Sequence, residues 1–239
     1  MRILIAGAHG QIARRLGRLL TDRGDTVVGL IRNPAHAADL EDDGVQAAVV
    51  DLESATVDQV AHAVRACDAV VFAAGAGPGS GSARKDTVDR GAAVLLADAA
   101  ERAGVRSYLL VSSMGTDLVA GGATPDGVDD VFVAYLRAKL AAEEDLLARS
   151  ALAVTVLRPG GLTDDPGTGR VRLERHVERG RAHHRVGQAE VAGGEQTDRQ
   201  RAEHAAPAVD GDGADRVVDA QPLEQVDDQR DDDAGDGSD

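Results

Sequence analysis

Near its start the chain carries the run RILIAGAHGQIARRL, residues 2–16, which sets Gly7, Gly10 and Ala13 between an aliphatic stretch and an amphipathic one. The spacing G-x-x-G-x-x-A at that place calls for backbone without side-chain bulk. Gly7 permits a tight turn, Gly10 lets a bound group approach the main chain, and Ala13 lets a helix lie close on a strand. A helix that begins after Gly10 also aims free N–H groups and its positive dipole end at the turn, which suits phosphate. The segment Gly7, Ala8, His9, Gly10, Gln11 and Ile12 is therefore the expected phosphate-binding loop, with His9 facing solvent beside the anion.

Further along, aliphatic runs recur at 26–31 (TVVGLI), 45–50, 69–74 (AVVFAA), 106–111 (RSYLLV) and 153–157 (AVTVL) and read as strands after the first at 2–6. Helical spacing predicts helices over 11–21, with Ile12, Leu16, Leu19 and Leu20 on one face, and over 57–65, with Val57, Val60, Ala61 and Val64. Two more are expected at 87–103, closed by Gly104, and at 131–149, while Pro34 suits the first turn of another. Strands alternating with helices predict an α/β fold: a Rossmann-type doubly wound parallel sheet over residues 1–175. Only 2% of residues are aromatic, so the core must be built from Ala, Val, Leu and Ile, as suits strands buried on both faces.

Beyond about Gly180 the pattern stops. Residues 1–180 hold 20 Lys and Arg against 25 Asp and Glu, and residues 181–239 hold 6 against 16, so two-thirds of the net charge of -15 lies in the last quarter. Among large apolar residues the last 59 positions contain only Leu223, and they contain no lysine. Residues 176–239 read as a low-complexity acidic tail expected to be disordered, because such a segment buries too little apolar surface to offset its ordering entropy. Two origins fit the composition: a genuine acidic extension, or out-of-frame translation of a GC-rich gene.

The acidic balance argues against sequence-independent nucleic-acid binding. No stretch is long and apolar enough to span a bilayer, and the start lacks the features of a secretory signal, so the expected location is the cytoplasm without a membrane partner. Cys67, the single cysteine, precedes an apolar strand and reads as a buried structural thiol. His176, Glu178, His183 and His184 superficially resemble a metal cluster but fall in the aberrant region, and no metal site is expected.

Other residues extend the first motif into a site. Arg32 ends the second strand, where an NAD-specific site usually carries an acid for the ribose hydroxyls; an arginine there pairs with a 2′-phosphate, favouring NADP(H) over NAD(H). Asp51 and Leu52 follow the third strand, within reach of adenine. Ala73, Ala74 and Gly75 end the fourth and leave room along the carboxyl edge of the sheet; Gly77, Gly79 and Gly81 read either as part of this opening or as a plain flexible loop. Ser112 and Ser113 end the fifth strand. Tyr135 and Lys139, four apart on a helix, share a face, and an ammonium beside a phenol is expected to lower its pKa and make it an acid/base. Ser113 would orient the substrate oxygen.

From GAHGQIA through VSSMGTD and YLRAK to LRPGGLTDDPGTG the chain resembles the atypical short-chain dehydrogenase/reductase proteins, the NAD(P)H-binding and NmrA-like group, over roughly residues 1–175. The resemblance implies that Tyr135 and Lys139 reach the nicotinamide ribose and that Arg158, Pro159 and Gly160 line the nicotinamide side of the cleft. It implies an NADP(H)-dependent oxidoreductase acting on an unidentified small carbonyl, quinone or flavin. A non-catalytic NADP(H)-binding redox sensor, a sugar-nucleotide epimerase-like protein and a truncated, inactive product are the alternatives. Such proteins continue after the TDDPGTG stretch with a helix and strand that wall the substrate cleft, and nothing after Val171 resembles that.

Overall fold

Six strands form a parallel sheet in the order β3-β2-β1-β4-β5-β6, the doubly wound arrangement expected from the sequence. They are β1 (Arg2–Ala6), β2 (Thr26–Ile31), β3 (Gln46–Val49), β4 (Ala69–Phe72), β5 (Ser107–Val111) and β6 (Ala153–Pro159). The structure is a computed structural model that describes residues 1–77, 79–163, 170–176, 184–185, 189–190 and 216–222. Between the strands run α1 (Gln11–Asp22), α2 (Ala37–Asp42), α3 (Val57–Val64), α4 (Ser82–Arg84), α5 (Ala93–Ala103) and α6 (Asp130–Leu147). No helix among the described residues is long and apolar enough to cross a membrane.

Alternation along the strands divides the core between two faces. Ile3 and Ile5 of β1 pack with Ala13 and Leu20 of α1 and with Leu40 of α2. Leu4 and Ala6 face the other way, into a larger cluster with Val60 and Val64 of α3, Leu96 and Ala100 of α5, and Ala142 and Leu146 of α6. Leu4, Leu30, Phe72, Leu96 and Leu110 are essentially sealed from solvent; burying such a side chain contributes about 1.5–3 kcal/mol. Cys67 is also buried in this cluster, and burial pushes its thiol up.

Several helix ends are written locally. Thr56 and Gln59 form a reciprocal capping box at the start of α3. The Asn33 side chain accepts the Ala35 N–H before the 3₁₀ turn Pro34–His36, and Gly104 closes α5 in the left-handed conformation at φ 75°. The α1 face differs from its sequence reading. Leu19 and Ile12 are exposed, and the helix meets the sheet through Ala13, Gly17 and Leu20. Small residues win because α1 lies so close that a Cβ on Gly17 would come within 2.8 Å of Val45.

β4 ends at Phe72 rather than Ala74, because its partner β1 ends opposite it at Ala6, where Gly7 turns the chain away. The helix expected at 87–103 is compound. A π-helical stretch, Lys85–Ala92, follows α4 and leads into α5. β6 runs two residues past its predicted end because it acquires an outer partner, with Leu157 opposite Val218 and Pro159 opposite Ala220. That partner is β10 (Arg216–Pro222), which pairs antiparallel with β7 (Arg170–His176); the short β8 (His184–Arg185) and β9 (Ala189–Glu190) also pair with β7. β7 lies at the end of the expected domain, and β8, β9 and β10 fall within the expected tail; the rest of that tail, with Glu178 and His183, lies outside the described residues.

Candidate functional site

The winding direction of the sheet reverses between β1 and β4, and the loops leaving their carboxyl ends open a cleft of about 350 Å³. This is where doubly wound sheets bind ligands. Gly7 forms its floor at φ 76°, and a Cβ there would lie 2.6 Å from the Cα of Ala74. Only glycine fits, on both counts. Gly10 is the N-cap of α1; no side chain caps that end, so the first-turn N–H groups face the cleft's entrance as an anion site. Gln11 and Ile12 are exposed there. Ala8 is different: its methyl is buried against the core and its N–H donates to Leu30 O at 3.1 Å, so its side chain faces away from the cleft.

His9 lines the cleft but is held from the side. Its ring stacks on His36 with 3.6 Å between centroids, and its Nε2 lies 2.7 Å from Asp39 Oδ2, which draws the Asp39 carboxyl below its usual range. Arg32 reaches the cleft as expected, paired to Glu53 at 3.2 Å. Glu53 is shared with Arg84, at 2.8 Å, and accepts the Thr87 hydroxyl. Asp51 and Leu52 line the same wall. The Asp51 carboxylate accepts the Glu53 N–H at 3.1 Å and the Ser54 hydroxyl, so it also fixes its own turn. Ala73, Ala74 and Gly75 form the opposite wall. The glycines, the free helix end and the arginines together suit a dinucleotide, with the pyrophosphate at α1 and the adenosine end toward Arg32.

Tyr135 and Lys139 lie outside the lining of this cleft, past Gly75 and Asp89, and share one face of α6, as their spacing predicts. Lys139 is 3% exposed. Its ammonium donates to Val111 O at 3.1 Å, lies 3.2 Å from Asp89 Oδ1, and stands 5.8 Å from the Tyr135 ring centroid. The Lys85 ammonium is 5.4 Å from the same ring. The expected lowering of the Tyr135 pKa does not occur. Burial pushes the phenol up, and nearby Asp89 adds to that; a hydrogen bond with Ser113 acts in the opposite direction without overcoming them. Lys139 itself is lowered by burial, against the raising influence of Asp89. With its charge countered by Asp89, Lys139 does not drive Tyr135 to phenolate.

Ser112 and Arg158 do not bring their side chains to the cleft. The Ser112 hydroxyl donates to Glu143, and Arg158, 2% exposed, pairs with Glu143 at 2.5 Å and Asp117 at 3.1 Å. The network joins the end of β5, α6, β6 and the 3₁₀ turn at Asp117. Pro159 and Gly160 are half-buried beyond it, and Pro159 O accepts the Met114 N–H at 3.1 Å. Sequence reading passed over Glu53, Arg84, Lys85 and Asp89. Asp89 alone left a signal: it interrupts the apolar face made by Val88, Ala92, Ala93 and Leu96.

A family model described as NAD(P)H-binding matches residues 7–194. The Bacillus subtilis protein named uncharacterized sugar epimerase YhfK is 33% identical over 181 residues, 75% of this chain and 81% of its own. A solved Bacillus halodurans structure, classed with NAD-dependent epimerases/dehydratases, has 35% identity and a TM-score of 0.64 over 72% of this chain and 76% of its own. ChuY of Escherichia coli O157:H7, described as an anaerobilin reductase, has 27% identity and a TM-score of 0.62 over 92% of this chain and 97% of its own.

Proposed function

The chain belongs to the NAD(P)H-binding family, of the atypical short-chain dehydrogenase/reductase type, and from that premise we propose that it is an NADPH-dependent reductase of a small carbonyl, quinone or flavin substrate. The observation that carries the reading is Tyr135, a partly buried phenol held in its protonated form beside Ser113. Reduction needs a proton donor at the substrate oxygen, and a phenol stays protonated, and so able to donate, through the neutral range.

When bound, the reduced nicotinamide supplies the hydride. Gly7, Gly10 and the first turn of α1 would hold the pyrophosphate, and the Arg32 guanidinium would donate to the 2′-phosphate. Ser113 would align the substrate oxygen, Tyr135 would pass its proton to that oxygen, and Lys139 is the residue assigned to the ribose. The ammoniums of Lys85 and Lys139 lie 5.4 and 5.8 Å from the centroid of the Tyr135 ring. The reductase description of ChuY supports this direction of reaction.

The test is calorimetric titration with NADPH and NADH, followed by loss of reduced-nicotinamide absorbance over a panel of carbonyls, quinones and flavins. Tyr135→Phe is expected to remove turnover and leave NADPH affinity within about twofold. Turnover that survives in Tyr135→Phe overturns the acid assignment, and binding without turnover on any class returns the redox-sensor reading. The epimerase names of two relatives favour a second reading, a sugar-nucleotide epimerase. That chemistry requires Tyr135 to accept a proton first, and its mark is a cofactor that stays bound through purification.

A further inference from the structure

Two guanidiniums and a hydroxyl converge on one carboxylate at the adenosine end of the cleft. Arg32 comes from the end of β2, Glu53 from the loop after β3, and Arg84 from α4, so the cluster is assembled only by folding. Arg32 Nη1 lies 3.2 Å from Glu53 Oε2 and Arg84 Nη2 lies 2.8 Å from the same oxygen; Arg84 Nε is 3.4 Å and the Thr87 hydroxyl 3.2 Å from Oε1. All but Thr87 line the cleft. The Glu53 side chain is 29% exposed, and its backbone N–H is tied to Asp51, so its carboxylate can swing while its loop stays in place.

Resting on the NADPH reading, we propose that Glu53 is an internal anion standing where the 2′-phosphate binds, and that Arg84 is the second arm of that phosphate site. Arg32 and Arg84 repel each other, and in the empty cleft Glu53 offsets that repulsion. A phosphate dianion brings more charge and three acceptor oxygens to the same donors, so it can take over both guanidiniums. NADPH must displace Glu53 to bind and NADH need not. Glu53 therefore sets how strongly the protein discriminates between them, a role distinct from that of an acid that reads ribose hydroxyls.

The experiment uses the full chain, titrated calorimetrically with adenosine 2′,5′-bisphosphate, 5′-AMP, NADPH and NADH. Glu53→Gln is expected to tighten the bisphosphate and NADPH about tenfold, the scale of two partly exposed ion pairs, while 5′-AMP and NADH stay within about twofold. Arg84→Gln is expected to weaken the bisphosphate about tenfold and leave 5′-AMP unchanged. An unchanged NADPH-to-NADH ratio in Glu53→Gln overturns the internal-anion role, and so does a selective loss of NADH affinity, which would make Glu53 a ribose ligand. An Arg84→Gln variant that binds the bisphosphate normally overturns the second arm. The underlying NADPH reading fails separately, by wild-type protein preferring NADH, and the ratio shift in Glu53→Gln stays measurable in that case. Melting curves confirm that these surface substitutions leave the fold intact.

Discussion

Asp89→Asn isolates the charge in the buried pair that Asp89 forms with Lys139, near Tyr135. Asp89 is fully buried, Lys139 is 3% exposed, and their charged atoms are 3.2 Å apart. The amide keeps the shape beside Gly75, and its oxygen can still accept the Ala76 N–H now held by Asp89 Oδ2 at 3.3 Å. What disappears is the partner of a buried ammonium, and such a loss costs about 3–5 kcal/mol. For a chain of this length that lowers Tm by roughly 6–20 °C near pH 7. The cost depends on pH. The folded-state pKa of Lys139 is already depressed by burial and kept up by Asp89; without the carboxylate it falls further below the unfolded value. As pH rises through that lower pKa, the folded variant releases a proton that its unfolded form retains, so its stability starts to climb at lower pH, and climbs further, than that of wild type, whose own Lys139 is less depressed. Melts near pH 7 and about pH 9.5 at constant ionic strength are therefore expected to show the gap closing toward alkaline pH. An equal loss at both pH values would mean that Asp89 acts through shape alone. A loss below about 1 kcal/mol would mean the pair carries little weight.

Gly7→Ala is expected to abolish nucleotide binding or folding, because the new Cβ would stand 2.6 Å from the Ala74 backbone at a left-handed φ; calorimetry and circular dichroism separate the two, and normal NADPH binding would contradict the assigned floor. Arg158→Met strands Glu143, 1% exposed, and is expected to cost about 3–5 kcal/mol in urea unfolding. Adding Glu143→Leu should recover most of it, and failure to recover would point to packing rather than charge. Since burial raises Tyr135, the rate of reduction should hold through neutrality and fall only above the usual tyrosine value of about 10. A loss of rate already complete by about pH 8 would assign the proton to another group.

Legibility followed sequence distance. The β1 turn and the start of α1 were readable because strand, glycines and helix are contiguous, and Tyr135 and Lys139 because helical spacing alone puts them on one face. Ser112 and Arg158 were misplaced because their partner Glu143 is 31 and 15 residues away, and only packing shows that their side chains turn inward. Glu53 and Arg84 were missed for the same reason. The direction of the Tyr135 shift escaped because pairing it with Lys139 ignored the burial of the phenol, which raises it, with Asp89 adding a smaller push. Leu19 was assigned inward on hydrophobicity, but proximity of α1 to the sheet selected Ala13 and Gly17 instead.

The π-helical stretch Lys85–Ala92 has a consequence for length variation in this fold. Wider turns change the angular phase along the run, so residues five apart come nearer to one side than α geometry allows. Arg84, at its entrance, is thereby turned toward the adenosine wall while Asp89 turns beneath Lys139. Removing a single residue from this stretch would relax it to α geometry and rotate one end against the other. The Arg84–Glu53 pair and the Asp89–Lys139 pair thus share one phase setting, and an insertion or deletion here would shift both together.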